Sequence, residues 1–324
     1  MNPKHAQYML TVYQEGSITN AAKKLYVSQP SLSQMIKLVE SNLGAPIFNR
    51  STDPLTLTYA GEKYIEAAQK ILTINANLAR EIEEINDEEH GKIRLGIPVQ
   101  RGMQVLPYVL PKFFQKYPHV DVVISEHGSS AIDKLVLDGS VDLACMTTVP
   151  KHDELNYIIV EREELVLLAS RNTELARRIP SGTPISILEA RNEKFVSNKP
   201  GHSVRALQDS LFITNNIQPK IILETISIEI EKKVALACDA VTICPLNYIE
   251  NTEEMRSRAA LYPLKNTETL RHCYICHRKD LYLTRYMKDF IDILLEVENP
   301  FLKDSPLPKD QAQDSGQQDG LRHA

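Results

Sequence analysis

Apolar residues recur at helical spacing from the start of the chain: Ala6, Met9, Leu10 and Tyr13 fall at i, i+3, i+4 and i+7. Gly16 is placed to close that helix with a left-handed cap. Ser17 follows as the N-cap of a second, short helix whose Ile18, Ala21, Ala22 and Leu25 face inward. The small Ala21 and Ala22 let a neighbouring helix cross closely and steeply. Three residues, Tyr26-Val27-Ser28, lead into a third helix, with Ser28 set to accept from free backbone N–H groups and Pro30 tolerated in the first turn. So short a turn suits a roughly perpendicular pair, the layout of a helix-turn-helix. The third helix carries Leu32, Ile36, Val39 and Leu43 on one stripe and Gln29, Ser31, Ser33, Gln34 and Lys37 on or beside the opposite face. Gln can pair bidentately with adenine, Ser with base edges or phosphate, and Lys adds phosphate attraction. An isolated polar stripe is more often a plain solvated face; beside this turn and this short preceding helix it points to DNA.

From Thr58 to about Asn86 the spacing predicts one long helix. Tyr64, Ala68, Ile71, Asn75, Leu78, Ile82 and Ile85 alternate four and three apart, the seam of a coiled coil, with Asn75 as a polar seam residue of the kind that fixes register. The alternative is a helix packed on its own domain. Asp87 to Gly91 breaks the helix. Strands and helices then alternate: strands at 93–97, 120–126, 141–146, 165–169, 194–197, 221–224, 241–244 and 273–277, and helices at 105–117, 129–138, 203–215, 227–237 and 284–296. Repeated βαβ units predict parallel sheets covered on both faces, in two α/β lobes with chain crossings between them. The expected division is 1–58 as a helical DNA-binding domain, 59–91 as a linker and dimerisation helix with its hinge, and 92–298 as a two-lobed α/β domain. Within that domain lobe I spans about 92–162 and 267–298 and lobe II about 163–266. The Pro-, Gln- and Asp-rich residues 299–324, without apolar periodicity, read as a disordered tail.

The 324 residues are 43% hydrophobic and 24% charged, enough for two domains with cores. The first residues lack a signal-peptide pattern and no apolar run approaches the roughly 20 residues that span a bilayer, so a cytoplasmic protein with no membrane partner is expected. A net charge of −5 is unfavourable for a nucleic-acid partner only if it is spread evenly. Residues 1–58 hold five basic against three acidic side chains, and residues 59–91 hold three against eight. The mildly basic head binds weakly as one copy, which favours several heads acting together.

The run Gly16-Ser17-Ile18, Ala21-Ala22, Leu25, Val27 to Ser33, Ile36, Glu40, Leu43-Gly44, Ile47-Phe48, Arg50 and Leu57 to Gly61 resembles the N-terminal domain of LysR-type transcriptional regulators. The resemblance implies a β-hairpin wing over Ile47 to Leu57, with Arg50 touching the DNA backbone or minor groove. Together with Ser28, Gln29, Pro30, Ser31, Ser33, Gln34 and Lys37 this gives the candidate DNA-binding set. Ser51-Thr52-Asp53-Pro54 departs from the family, which carries further basic residues there, and Asp53 repels phosphate. The second domain looks like the family's effector-binding domain, itself similar to periplasmic solute-binding proteins, on Leu106-Pro107, Phe113, Tyr117-Pro118, Gly139 to Leu143 and Leu236 to Pro245; Cys238-Asp239-Ala240 stands where a Gly-x-Gly is usual. In such a receptor ligands bind between lobes at the carboxyl ends of strands, where helix N-termini offer N–H groups. The candidates there are Gln100 and Arg101, Ser129 and Ser130, Thr147 and Thr148, Asn198, His202 and Ser203, and Thr225 and Ser227. So many hydroxyls suit a small anion, although any one of them is more often an ordinary N-cap. Resemblance also implies a homodimer to homotetramer on an interrupted, nearly palindromic promoter site, bending it in response to ligand.

Other constellations fail. In a strand, Cys273 and Cys276 of the His-Cys-x-x-Cys-His run point to opposite faces and cannot share a metal. Cys238 and Cys244 can approach across a turn as a redox pair, against the simpler reading of buried apolar thiols. No nucleophile elbow, phosphate loop or catalytic metal spacing occurs, so neither an enzyme nor a cofactor is expected. The competing reading is a cytoplasmic solute-binding or sensor protein whose head only dimerises.

Overall fold

The structure is a computed structural model. It describes residues 2–49, 51–52, 54–86, 90–249, 252–265 and 271–297. Arg50, Asp53 and the 299–324 segment lie outside the described residues.

The head is α1 (Pro3–Glu15), α2 (Ile18–Lys24), α3 (Gln29–Leu43) and a hairpin of β1 (Phe48–Asn49) and β2 (Thr56–Leu57). Its caps are those the sequence asks for. Gly16 takes φ 59° and closes α1, Ser17 accepts from the Asn20 N–H, and Ser28 accepts from the Ser31 N–H. Met9, Ala21, Leu32 and Ile36 are fully buried together, whereas Leu43, expected on the inner stripe, is exposed at the end of α3. Tyr26 holds the turn in the left-handed region at φ 54°. The Glu40 carboxylate on α3 accepts from the N–H groups of Ile47 and Phe48, fixing where the hairpin leaves the helix. The long helix α4 (Tyr59–Asn86) follows at once. It crosses so near the hairpin that a Cβ at Gly61 would sit 2.0 Å from the Ile47 carbonyl oxygen, so only glycine fits.

The expected coiled-coil seam divides. Tyr64 and Ala68 are buried in the head's own core, while Leu78, Ile82 and Ile85, with the neighbouring Ile74, are exposed, as is Asn75. A different face of α4 docks on the second domain of the same chain through polar contacts. Asn77 donates to the Asp280 carbonyl and accepts from the Tyr282 N–H, and Glu84 accepts from the Tyr282 hydroxyl and the Arg285 N–H. Arg278 donates to Thr73. The buried Asp142 carboxylate takes Arg80 on one side and Arg94, through its N–H and guanidinium at 2.7–3.0 Å, on the other. That partnership with Asp142 holds the Arg94 pKa above its ordinary value, against the opposing effect of burial.

The second domain runs β3 (His90–Ile97), α5 (Val99–Lys116), β4 (His119–Glu126), α6 (Ser129–Leu137), β5 (Leu143–Thr147), β6 (Leu155–Glu163), β7 (Leu165–Ser170), α7 (Glu174–Arg178), β8 (Lys194–Asn198) and α8 (Ser203–Thr214). It continues with β9 (Lys220–Thr225), α9 (Ile228–Ala237), β10 (Val241–Pro245), α10 (Glu253–Arg258), β11 (Ala259–Pro263), β12 (Arg271–Arg278) and α11 (Arg285–Glu296). One five-stranded sheet has the order β4-β3-β5-β12-β6 and the other β11-β7-β10-β8-β9. Each sheet holds three strands in parallel pairing, as the βαβ pattern predicts, extended by two more through antiparallel pairings, β12 then β6 in one and β7 then β11 in the other, which it does not. Strands β6 and β11 escape the sequence reading. Much of β6 is only partly covered and ends in Glu161-Arg162-Glu163, and β11 is five residues of Ala-Ala-Leu-Tyr-Pro beside a short polar helix. Helix α5 begins at Val99, six residues before the expected 105, because its polar first turn shows no apolar stripe. Both faces of each sheet are covered: α5 and α11 pack on one side of the first sheet and α6 on the other. The chain passes between lobes at Glu163 to Leu165 and again between β11 and β12.

Because Asp142 serves two arginines from one buried carboxylate, Asp142→Asn should lower stability by about 2–4 kcal/mol. It should also free the second half of α4. Hydrogen exchange should then speed up over residues 73–86 while the head core stays protected.

Candidate functional site

On the head, Ser28, Gln29, Pro30, Ser31, Gln34 and Lys37 are exposed and Ser33 half-buried, behind the fully buried Leu32 and Ile36. The sequence-predicted face thus forms one surface at the N-terminal half of α3. Its other predicted member, Arg50, lies outside the described residues.

Between the lobes is a cavity of about 220 Å³ at the carboxyl ends of β3, β4, β5 and β8. It brings together Gln100, Arg101, Ser129, Thr147, Asn198, His202 and Ser203. An adjoining hollow shares Ser129, Thr147, His202 and Ser203 and adds Ser130 and Thr148. Thr225 and Ser227 line neither. The Thr225 hydroxyl accepts from the Ser227 N–H and the Ser227 hydroxyl caps α9 at Ile230, so both are used locally. Three helices meet the cavity with their N-termini and no side-chain cap: α5 after Pro98, α6 after Gly128 and α8 after His202.

Arg101, on the first turn of α5, is a charged residue only 2% exposed. Its guanidinium faces Glu161 and Glu163 together, and its plane lies 5.7 Å from the Tyr248 ring centroid. Thr147 donates to Glu163 at 3.3 Å. From the other lobe, Asn247 donates to Glu161 at 3.0 Å and its carbonyl accepts from Gln104, and Gln100 donates to Glu229 at 3.0 Å. Glu229 also pairs with the buried Lys232. These bonds hold the lobes against each other beside the cavity. Sequence reasoning missed Glu161, Glu163, Asn247 and Tyr248, because an arginine's partners lie on distant strands and only the fold brings them near.

Asn198, at the end of β8, spends its Nδ2 on the Glu231 carboxylate at 3.0 Å. Glu231 is fully buried and also takes Gln208 Nε2 at 2.8 Å and the Thr242 hydroxyl at 2.5 Å. Burial raises the Glu231 pKa in spite of those three donors and the nearby charge of Arg205.

Cys273 and Cys276 lie in different cores, on opposite faces of β12, as expected. Cys273 touches Cys145, Sγ to Sγ 3.7 Å, and this contact and burial push its thiol well up, away from thiolate chemistry. Cys238 is exposed at the end of α9 while Cys244 is buried in β10. Asp239 between them adopts φ 48°, held by Asn172 and Ser170, so the left-handed turn falls on the middle residue of Cys238-Asp239-Ala240, while Cys238 and Ala240 stand at the two positions where the resemblance leads one to expect glycine. Among the described residues no group of three or more His, Cys, Asp and Glu side chains could hold a metal ion, and no helix is long and apolar enough to cross a membrane.

Comparison with known proteins agrees with this architecture. Residues 3–62 match the family described as "Bacterial regulatory helix-turn-helix protein, lysR family", and residues 86–299 match the LysR substrate binding domain. The chain belongs to the LysR family of transcriptional regulators. It is 30% identical over 261 residues to the uncharacterized HTH-type transcriptional regulator YcgK of Bacillus subtilis, covering 76% of this chain and 80% of that one. Its fold is similar to a full-length OxyR variant from Pseudomonas aeruginosa, with TM-score 0.65 and 19% identity over 91% of this chain and 96% of that one. It is also similar to full-length CbnR in complex with its target DNA, with TM-score 0.54 and 19% identity over 91% and 99%. The protein is a regulator with a DNA-binding head and an effector-binding domain, not an enzyme.

Two outcomes follow. Arg101→Met strands two carboxylates and should cost about 3–5 kcal/mol, seen as a lower urea midpoint. Glu231 binds a proton more readily folded than unfolded, so its contribution to stability falls as pH rises above the ordinary value of 4.5. Urea midpoints taken from pH 4.5 upward should show that decline in the wild type and a flatter profile in Glu231→Gln.

Proposed function

We propose that the protein binds an interrupted-dyad promoter site as a homodimer or homotetramer in the cytoplasm, and that a small effector in the inter-lobe cavity changes the spacing of its heads. The observation that carries this is the outer face of α3: hydrogen-bonding side chains standing clear of a fully buried stripe, at the N-terminal half of a helix that follows a three-residue turn. In this reading Gln29 and Gln34 meet base edges, Ser28, Ser31, Ser33 and Lys37 meet base edges or phosphate, Pro30 shapes the first turn, and Arg50 reaches the backbone or minor groove. The complex of CbnR with its target DNA supports the same use of this fold.

Pairing is supported by α4, where Leu78, Ile82 and Ile85 are 48–73% exposed on a face turned from the docked domain. Such a stripe suits a second copy. The uncapped N-termini of α5, α6 and α8 favour an effector that presents an anionic group. A solute-binding protein with a purely dimerising head would leave the polar face of α3 without a role.

A gel-shift titration against the chain's own upstream region should give a salt-sensitive, sequence-preferring complex. Gln34→Ala should weaken it by roughly 5- to 150-fold for about 1–3 kcal/mol of lost base discrimination, with little effect on non-specific DNA. Replacing Leu78 and Ile82 by Asp should reduce the sedimenting mass and the DNA affinity together. A complex indifferent to DNA sequence defeats the proposal.

A further inference from the structure

We propose that Tyr26, in the turn between α2 and α3, is a further DNA contact of the head, its hydroxyl donating to a backbone phosphate at the edge of the groove that α3 enters. This rests on the reading of α3 as the DNA-facing helix. It starts from a side chain that the head itself does not use. Tyr26 is 96% exposed, although Leu25 before it and Val27 after it both pack against the head's core. Among the described residues none hydrogen-bonds to its hydroxyl.

The backbone makes tyrosine an unexpected choice at this position. The Val27 N–H donates to the Ala22 carbonyl at 3.0 Å and the Tyr26 N–H to the Lys23 carbonyl at 3.2 Å, the two bonds of a Schellman motif closing α2. That motif requires a left-handed residue, and Tyr26 supplies it at φ 54°. Glycine meets the requirement without strain, and the ends of α1 and α3 use it, at Gly16 and Gly44. A bulky aromatic residue at positive φ is strained, and strain of this kind clusters at functional positions. Neither packing nor a hydrogen bond within the head compensates it.

Position selects the partner. In a helix-turn-helix the first helix crosses the DNA backbone while the N-terminal residues of the second meet base edges. Tyr26 lies between the two, two residues before Ser28, the N-cap of α3. Lys23, exposed on the last turn of α2, brings a positive charge to the same turn. The group met where the chain passes from backbone to groove is a phosphate oxygen, an acceptor for a phenolic O–H. Such a contact positions the head and carries no sequence information.

The test is a fluorescence-anisotropy titration of the full chain with its upstream fragment and with a scrambled duplex of equal length, at several salt concentrations. Tyr26→Phe removes only the hydroxyl and should weaken binding to both duplexes by the same factor, about 3- to 10-fold, leaving their ratio unchanged. The slope of log affinity against log salt should stay as in the wild type, because a neutral hydroxyl releases no counterion. Tyr26→Lys sets a charge on the phosphate, so its slope should steepen by about 0.9 for each bound head. Tyr26→Gly relieves the backbone strain and should melt no lower than the wild type, yet bind at least as weakly as Tyr26→Phe. A Tyr26→Gly chain that loses stability along with affinity makes the residue structural and overturns the proposal. Wild-type affinity in Tyr26→Phe overturns it too, as does an unchanged salt slope in Tyr26→Lys. A Tyr26→Phe effect confined to the upstream fragment means contact with a base and overturns the phosphate assignment. If Gln34→Ala binds both duplexes like the wild type while Tyr26→Phe weakens both, base reading by α3 fails and the phosphate contact stands; the reverse pattern keeps α3 and removes Tyr26. A chain that binds neither duplex overturns both.

Discussion

A guanidinium taken out of water has to be met by counter-charge, and Arg101 is met twice, by Glu161 and Glu163. Much of the effector domain's arrangement answers to that requirement. Strand β6 must run far enough to bring both carboxylates beside α5, and the crossing into lobe II leaves the sheet immediately after Glu163. Asn247 then reaches back from lobe II to the same Glu161. The hinge region is therefore polar and dry at once. Such a joint favours particular arrangements over a continuous range, because sliding one lobe breaks charge-assisted hydrogen bonds rather than shearing an apolar contact.

The second organising contact is Asp142. By holding Arg80 of the linker and Arg94 of β3 together, it makes α4 part of lobe I rather than a free tether. The same helix is anchored at its other end, where Tyr64 and Ala68 complete the head's core and Gly61 lets it lie against the hairpin. Lobe II has no equivalent hold on the linker among the described contacts. Motion of lobe II relative to lobe I is in consequence motion relative to a larger body.

The helix-turn-helix was legible because its determinants are local: Gly16, Ser17 and Ser28 are caps, and the buried Leu32 and Ile36 of α3 are about one helical turn apart. The two lobes were legible from the alternation of buried strands and amphipathic helices. What escaped was whatever depends on pairing across the chain. Strands β6 and β11 are stabilised by their neighbours more than by their own pattern, and the partners of Arg101 lie 60 and 62 residues away. Thr225 and Ser227 fitted the spacing of ligand residues yet spend their hydroxyls on adjacent backbone, as Ser and Thr at helix starts commonly do. The spacing in α4 that predicts a coiled coil divides in the structure, Tyr64 and Ala68 packing inside the head while Asn75, Leu78, Ile82 and Ile85 lie exposed.

Anchored at both ends, α4 behaves as a stiff lever. Its 28 residues span about 42 Å at 1.5 Å per residue. Tilting lobe I by about 10° would carry the far end of that rod through about 7 Å, which is roughly two base-pair steps along a duplex at 3.4 Å each. In the function proposed above, a displacement of that size would move a reading head from one register on DNA to another. A small rotation of lobe I would thus be converted, by length alone, into a change of address on the double helix.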